Sequence, residues 1–337
     1  MRIGITYNLK SDLATRVSAD STGEEAEEFD LPETIEALQK ALAFEADSVF
    51  LLGGDLGVID RIRENQIDFV FNIAEGFSGR SRESHLPALL EMLGVPYSGS
   101  DPVGLGLTLD KSLAKRMAIS LGIPTPEFWV LETKEDVSKI PDRFPLFVKP
   151  LWQGSSIGIR RSSRVQDRPS LEREAGRLFG SHPGESVLAE EYIPGREVTV
   201  GILGNKDPEI LGLMEITFRD PSEKDFCYSL EVKRDWKALV DYHVPPRLDF
   251  TLRKRIEESA IRLFQAMGLR DFARMDFRVT AGGAFYFLEA NPLPGLHPGS
   301  GDLVILARKK GWSYEELVLR ITRFAVERYP ELSSISK

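Results

Sequence analysis

Polar and apolar residues alternate over residues 2–7, the period of a short half-buried strand. Ile35, Leu38 and Leu42 then recur at helical spacing within residues 33–44, and residues 69–73 form an apolar run that reads as a buried strand. Leu86, Leu89, Leu90 and Leu93 make one helical face, stopped by Gly94 and Pro96. Strand–helix–strand order of this kind predicts a small α/β domain built on a parallel sheet. Between the first strand and helix, residues 12–30 are polar, with Glu24, Glu25, Glu27 and Glu28 clustered, and read as a solvated loop or helix start.

Residues 98–106 are rich in Gly, Ser, Asp and Pro and read as a linker. A helix is expected from Asp110, with Leu113, Met117 and Leu121 inward and Gly122 as its stop. Strands are expected over 144–150, 187–191 and 198–203, the last two flanking the turn Pro194-Gly195. Leu252, Ile256, Ala260, Leu263 and Met267 mark a long helix ended by Gly268. Residues 272–279 and 285–290 form a hairpin around Ala281-Gly282-Gly283, and residues 314–329 an amphipathic helix.

Composition narrows the classes. A chain of 337 residues is long enough for two or three domains. Hydrophobic residues at 42% and charged residues at 28% suit a globular protein with a real core. A net charge of −9 disfavours nucleic-acid binding through a broad basic surface but says nothing about small anions. The single cysteine, Cys227, leaves no intramolecular disulfide framework, and with four scattered histidines no Cys-rich zinc site. The first residues lack a signal-peptide pattern, and no run approaches the roughly 18 apolar residues of a membrane span, so a cytoplasmic location without a membrane partner is expected. No repeat or low-complexity block is visible.

The hairpin carries the first chemical signal. Arg274 and Asp276 share one face of a strand, as do Glu289 and Asn291 on the return strand. A turn near Gly282 sets Asp276 opposite residues 288–289, so Asp276, Glu289 and Asn291 can converge as an all-oxygen site suited to Mg²⁺. The alternative is a carboxylate pair on an exposed strand face, which the apolar neighbours Phe272, Met275, Phe277, Phe287 and Leu288 oppose. A second signal is Val148-Lys149-Pro150 followed by Gly154-Ser155-Ser156-Ile157-Gly158, a strand-end lysine and a turn that can offer an ammonium and backbone N–H groups to phosphate. The turn alone is equally a surface turn, and Lys111 alone equally a solvated lysine. The run from Glu190 to Glu197 is a strand–turn–strand, or the polar and apolar edge of an adenine site. His85, His182, His243 and His297 are expected to be structural or exposed, and no Cys/His nucleophile pairing is evident.

In order, the chain reads L-D-K from Leu109, V-K-P-L-W-Q-G-S-S-I-G from Val148, A-E-E-Y-I-P-G-R-E from Ala189, K-R at Lys233, R-M-D-F from Arg274 and L-E-A-N-P-L-P-G-L from Leu288. This resembles the ATP-grasp ligases, and within them the D-alanine–D-alanine ligase group, over roughly residues 67–325. The resemblance implies an α/β, ATP-grasp fold preceded by a Rossmann-like domain, divided as 1–101, 102–187 (with a lid loop) and 188–337 (with a metal site). It implies an ATP-dependent ligase that phosphorylates a carboxylate and lets an amine attack the acyl phosphate. Lys111 and Lys149 would hold phosphates, Glu190, Glu191 and Ile193 the adenine edge, and Glu197 the ribose. Asp276, Glu289 and Asn291 would bind two Mg²⁺ ions, with Mn²⁺ an alternative, and Arg274 with the Gly295 N–H would stabilise the tetrahedral intermediate. Ser155 and Ser156 would belong to a lid, Lys233 would reach the γ-phosphate, and Ser300 would hold the second substrate's carboxylate. Small amino acids or peptides are the implied substrates, and a homodimer the implied assembly.

Several positions depart from that group. Its N-terminal glutamate-bearing loop is absent after Tyr7, its H-G segment reads Glu75-Gly76, and the tyrosine after its loop lysine is Arg234. The segment after Gly295 is one residue longer and adds Asp302. Arg80, Arg82 and Arg234 could present guanidinium forks to a carboxylate, and Glu75 could meet an ammonium. The expectation is therefore a substrate other than two D-alanines, larger or more acidic. A genuine D-alanine–D-alanine ligase and a non-catalytic ATP-binding regulator are the alternatives.

Overall fold

The computed structural model describes residues 1–13, 24–220 and 229–334. Cys227 and part of the polar stretch before Glu24 lie outside them.

Strands β1 (Arg2–Thr6), β2 (Ser48–Leu51) and β3 (Phe69–Asn72) form a parallel sheet in the order β2-β1-β3. Strands β4 (Phe128–Leu131), β5 (Leu146–Pro150), β6 (Arg164–Val165) and β7 (Val187–Glu191) form an antiparallel sheet ordered β4-β7-β5-β6. Strands β8 (Arg196–Gly204), β9 (Glu209–Phe218), β10 (Val240–His243), β11 (Asp271–Val279) and β12 (Phe285–Asn291) form a third, antiparallel sheet ordered β10-β9-β8-β11-β12. The division expected at 187/188 thus falls at the first residue of β7, which pairs with β4 and β5.

The third sheet is covered on both faces. Helix Phe250–Ala266 seals one face with Ile256, Leu263 and Phe264, its apolar stripe at the predicted spacing. Helices Asp302–Lys309 and Tyr314–Glu327 cover the other and share a core with Ile3, Ile5, Phe69 and Phe71 of the first sheet. Helix Asp302–Lys309 lies close because Gly201 has no side chain: a Cβ there would stand 2.8 Å from Leu306 and 2.9 Å from Leu303.

Three expectations change. The supposed linker is a helix, Pro102–Leu109, capped by the Asp101 carboxylate, which accepts from the N–H groups of Val103 (3.0 Å) and Gly104 (2.9 Å). Ser98 and Ser100 there are buried and accept from the N–H groups of Asn72 and Arg270. Their polarity serves packing, not solvent. Helix Lys111–Ser120 turns Lys111, Ala114, Lys115 and Ala118 inward, with Met117 and Leu121 half-buried against the same core, and leaves Leu113 at the surface, because part of its inner face meets charged groups rather than apolar ones. The described glutamates of the acidic segment are not simply solvated: Glu24–Glu28 is a 3₁₀ turn, and Glu28 is buried against Arg82.

Phe272 is fully buried where the first and third sheets meet. Phe272→Ala is expected to cost about 3–5 kcal/mol of stability. Urea unfolding of the purified variant measures this, and a loss under about 1 kcal/mol would contradict the shared core.

Candidate active site

A cavity of about 480 Å³ opens between the three sheets. Its wall includes every expected site residue except Arg80 and Arg82. Arg80 lies outside, more than half exposed, paired with Asp110 at 3.2 Å and stacked toward Trp152.

At the floor, antiparallel pairing sets Asp276 opposite Glu289 and Arg274 opposite Asn291, with a register shift just after Asp276. Thr199 on β8 donates to Asp276 at 2.8 Å, and the Asn291 amide donates to it at 3.1 Å. The Arg274 guanidinium lies along this row, giving Asp276 its Nε and Nη2 and Asp302 its Nη1, the last at 3.0 Å. Burial and the nearby Glu289 carboxylate push Asp276 upward despite Arg274. Burial pushes Glu197 up to about 7, with Asp276 and Glu289 adding to the shift against Arg278, its partner at 3.5 Å. Burial also works to raise Glu289, but Lys111, Lys149 and Arg274 outweigh it and hold the carboxyl below its usual range. Among the described residues no three His, Cys, Asp or Glu side chains gather as a ready-made metal cage, so the oxygen set is two carboxylates and an amide. Asp276 and Glu289 repel one another across the ladder, and a divalent cation with hard-oxygen preference relieves that.

Above this row sits a lysine cluster that the apolar periodicity of the sequence conceals. Lys149 ends β5 and meets Glu190 at 2.8 Å, while Lys115 meets the other oxygen of the same carboxylate at 2.7 Å. Burial would raise Glu190, but the two ammonium groups hold it at about 2. Lys115 is pushed down to about 8 by burial, which half a share in one carboxylate does not offset. Lys149 moves upward, since Glu190 and Glu289 outweigh its burial. Lys111 moves downward through burial, although Glu289 stands 3.8 Å away and its ammonium also donates to the Gln153 carbonyl. Lys115 was not expected. Its signal is the spacing of four from Lys111, which puts both on one helical face.

Along the rim, the Glu190 side chain is thus committed to lysines, Glu191 is exposed and Ile193 is buried. Ser155 and Ser156 hold left-handed backbone, φ 50° and 61°, a strained conformation for residues with a Cβ. The acidic segment lies across this loop. Glu28 accepts from the Gly154 N–H at 2.5 Å and pairs with Arg82 at 2.7 Å. Glu24 accepts from the Gly158 N–H at 3.2 Å and pairs with Arg160 at 2.7 Å.

The substrate end differs most from expectation. Arg82 is buried in its pair with Glu28 and closed to a substrate carboxylate, whereas Arg234, paired with Glu27 at 2.6 Å through Nε and Nη2, stays more than half exposed on the cavity wall. Glu75 is pushed well upward by burial and by Glu83 and Glu28. Lys233 is lowered by burial, against the pull of Asp302. Ser300 is exposed and shares a 3.0 Å hydrogen bond with His297, and Gly295 lies open at the same mouth.

A family profile described as "D-ala D-ala ligase C-terminus" matches residues 117–323, more than half of the chain. A D-alanine–D-alanine ligase of Aquifex aeolicus is 34% identical, covering 85% of this chain and 92% of that protein. An uncharacterized protein, y4sG, of Sinorhizobium fredii is also 34% identical, over 77% of this chain and 75% of its own. Among solved structures, a D-alanine–D-alanine ligase from Bacillus anthracis complexed with ATP superposes with a TM-score of 0.71 at 23% identity, covering 98% of this chain and 99% of that one. The VanG D-Ala:D-Ser ligase of Enterococcus faecalis superposes at 0.68 and 21% identity, over 96% and 99%. The superpositions establish the fold. Together with the sequence matches they place the chain in the D-alanine–D-alanine ligase family of the ATP-grasp superfamily, ATP-dependent ligases that form C–N bonds.

Proposed function

We propose that this cavity ligates a carboxylate to an amine with Mg²⁺–ATP, through an acyl phosphate, in the cytoplasm. The observation that carries the reading is the row Arg274–Asp276–Glu289–Asn291, largely shielded from solvent, lining one cavity with Lys111 and Lys149, Lys111 standing 3.8 Å from Glu289. Lys111 and Lys149 hold the phosphates, Glu191 and Ile193 edge the adenine, and Glu197 takes the ribose. Glu190 acts by fixing Lys149 and Lys115. Asp276, Glu289 and Asn291 would hold two Mg²⁺ ions, which supply charge neutralisation to the triphosphate. Ser155, Ser156 and Lys233 close over the phosphates.

In the first step a carboxylate oxygen attacks the γ-phosphorus and ADP leaves with the electron pair of the broken P–O bond. In the second the amine attacks the acyl carbon, its proton leaves nitrogen, and phosphate departs as the C–O bond breaks. Arg274 and the Gly295 N–H stabilise the oxyanion between these events. The units 1–101, 102–187 and 188–337 carry one sheet each, apart from the strand at 187, with nucleotide between the second and third.

We further propose that the substrates are not two D-alanines. Glu75, in place of the group's H-G histidine, and the paired state of Arg82 and Arg234 support that. The D-alanine–D-alanine reading keeps the support of the relatives' names. Phosphate release with MgATP and D-alanine, followed by an amino-acid and amine panel with mass spectrometry of products, separates the two: efficient D-alanyl-D-alanine formation restores the D-alanine–D-alanine reading.

Asp276→Asn and Glu289→Gln should each lower turnover about 100-fold or more, as expected when charge stabilisation of several kcal/mol is lost. Near-wild-type turnover of both at saturating Mg²⁺ and ATP refutes the assigned floor. Amide exchange across Gly154–Gly158 should slow when an ATP analogue saturates the protein, because the loop gains partners it otherwise draws from Glu24 and Glu28. Unchanged exchange at demonstrated saturation counts against the lid.

A further inference from the structure

One carboxylate in the cavity wall has no task in the chemistry above. Asp302 is the first residue of helix Asp302–Lys309, which packs across Gly201, and Gly201 pairs in register with Arg274. The helix therefore delivers the carboxylate to the guanidinium. Its side chain is 7% exposed and lines the cavity. Oδ2 accepts from Arg274 Nη1 at 3.0 Å, while Oδ1 is buried without a hydrogen-bond partner. A buried carboxylate oxygen lacking a donor costs free energy, so this position has room for a further N–H, although Lys233 is near enough to feel the charge.

Arg274 is meanwhile engaged by two carboxylates, Asp276 through Nε and Nη2 and Asp302 through Nη1. A substrate carboxylate seeking the Nη1 edge would have to displace Asp302 and would face its second oxygen. The wall as a whole points the same way. Among the described residues, carboxylates outnumber lysine and arginine side chains around the cavity by eleven to seven.

We infer that Asp302 selects the attacking amine: its free oxygen receives an N–H of a substrate that carries no carboxylate beside the attacking nitrogen, such as a simple amine, a diamine or an amino-acid amide. This rests on the ligase reading, which gives the amine its place beside Arg274. A bidentate carboxylate on Arg274 and a carboxylate on Asp302 are alternatives for the same edge, and this chain carries its own.

The test is calorimetric titration of the full-length protein, saturated with a non-hydrolysable ATP analogue and Mg²⁺, with D-alanine and with D-alaninamide. These probes share a methyl group and an ammonium and differ in the carboxylate. The wild-type protein is expected to bind D-alaninamide at least tenfold tighter. Asp302→Ser is expected to shrink that preference by about tenfold or more, the range of a charge-assisted hydrogen bond. Asp302→Asn keeps the shape without the charge, should move the ratio in the same direction, and stands in if the serine variant does not fold. Tighter binding of D-alanine by the wild type, a ratio that neither variant moves, or no binding of either probe to nucleotide-loaded protein overturns the assignment. Failure of the nucleotide itself to bind would instead overturn the ligase reading, and this assignment with it.

Discussion

Burying Glu190 between Lys115 and Lys149 is the constraint on which the cavity depends. An ammonium in a low-dielectric interior is costly without a paired anion, and two of them need one shared and well placed. That requirement ties β7, which supplies Glu190, to β5, which supplies Lys149, and to helix Lys111–Ser120, which supplies Lys115. Lys115 is also held by Thr125, whose hydroxyl donates to the carbonyl of Phe287 on β12. The second and third sheets are thus pinned at the same point where their positive charge must be presented. The outcome is a pre-organised cationic ceiling over an anionic floor, an arrangement in which charge brought by a ligand completes the site.

The acidic turn Glu24–Glu28 extends the same logic across the cavity mouth. Each described pairing reaches a different element: Glu24 the Arg160 segment, Glu27 Lys10 and Arg234, and Glu28 Arg82. The contacts to Arg160 and Arg234 are partly exposed and individually worth little. The Glu28–Arg82 pair is buried on both sides and is the one whose disruption would leave an uncompensated charge. Its carboxylate also takes the Gly154 N–H, so this one side chain connects the N-terminal sheet's loops with the glycine-serine turn.

The parallel sheet, the long helix and the terminal amphipathic helix were legible because each buries one face against a core, and periodicity reports burial. So was the floor of the site, since alternation in β11 and β12 assigns Arg274, Asp276, Glu289 and Asn291 to one face before any fold is known. Periodicity misled where the buried face is charged. Leu113 looked inward but lies at the surface, because the helix gives its inner face partly to apolar packing, at Ala114 and Ala118, and partly to charged groups, at Lys111 and Lys115. Composition misled at residues 98–106 for a related reason: Ser98 and Ser100 satisfy backbone donors inside the molecule, which small polar residues do as readily as they fill linkers. Arg80, Arg82 and Arg234 could not be assigned from sequence because their partners, Asp110, Glu28 and Glu27, stand far along the chain.

The two halves of the cavity differ in how they are built. The phosphate-facing groups come from strands and one helix whose backbone is fixed by ladder bonds, so their relative positions follow from register. Asp302, His297 and Ser300, on the side where the proposed amine enters, come from a helix start and the connecting segment before it. Changing one of these alters which molecule fits without disturbing the ladder. Asp302 sits at the junction: its backbone belongs to a helix clamped against β8 by Gly201, while its carboxylate reaches the guanidinium that the floor also uses. A carboxylate supplied there by the protein, rather than by a substrate, keeps Arg274 oriented and charged before any amine arrives. In the proposed reaction this separates the arginine's part in stabilising the oxyanion from any part in recognising the nucleophile.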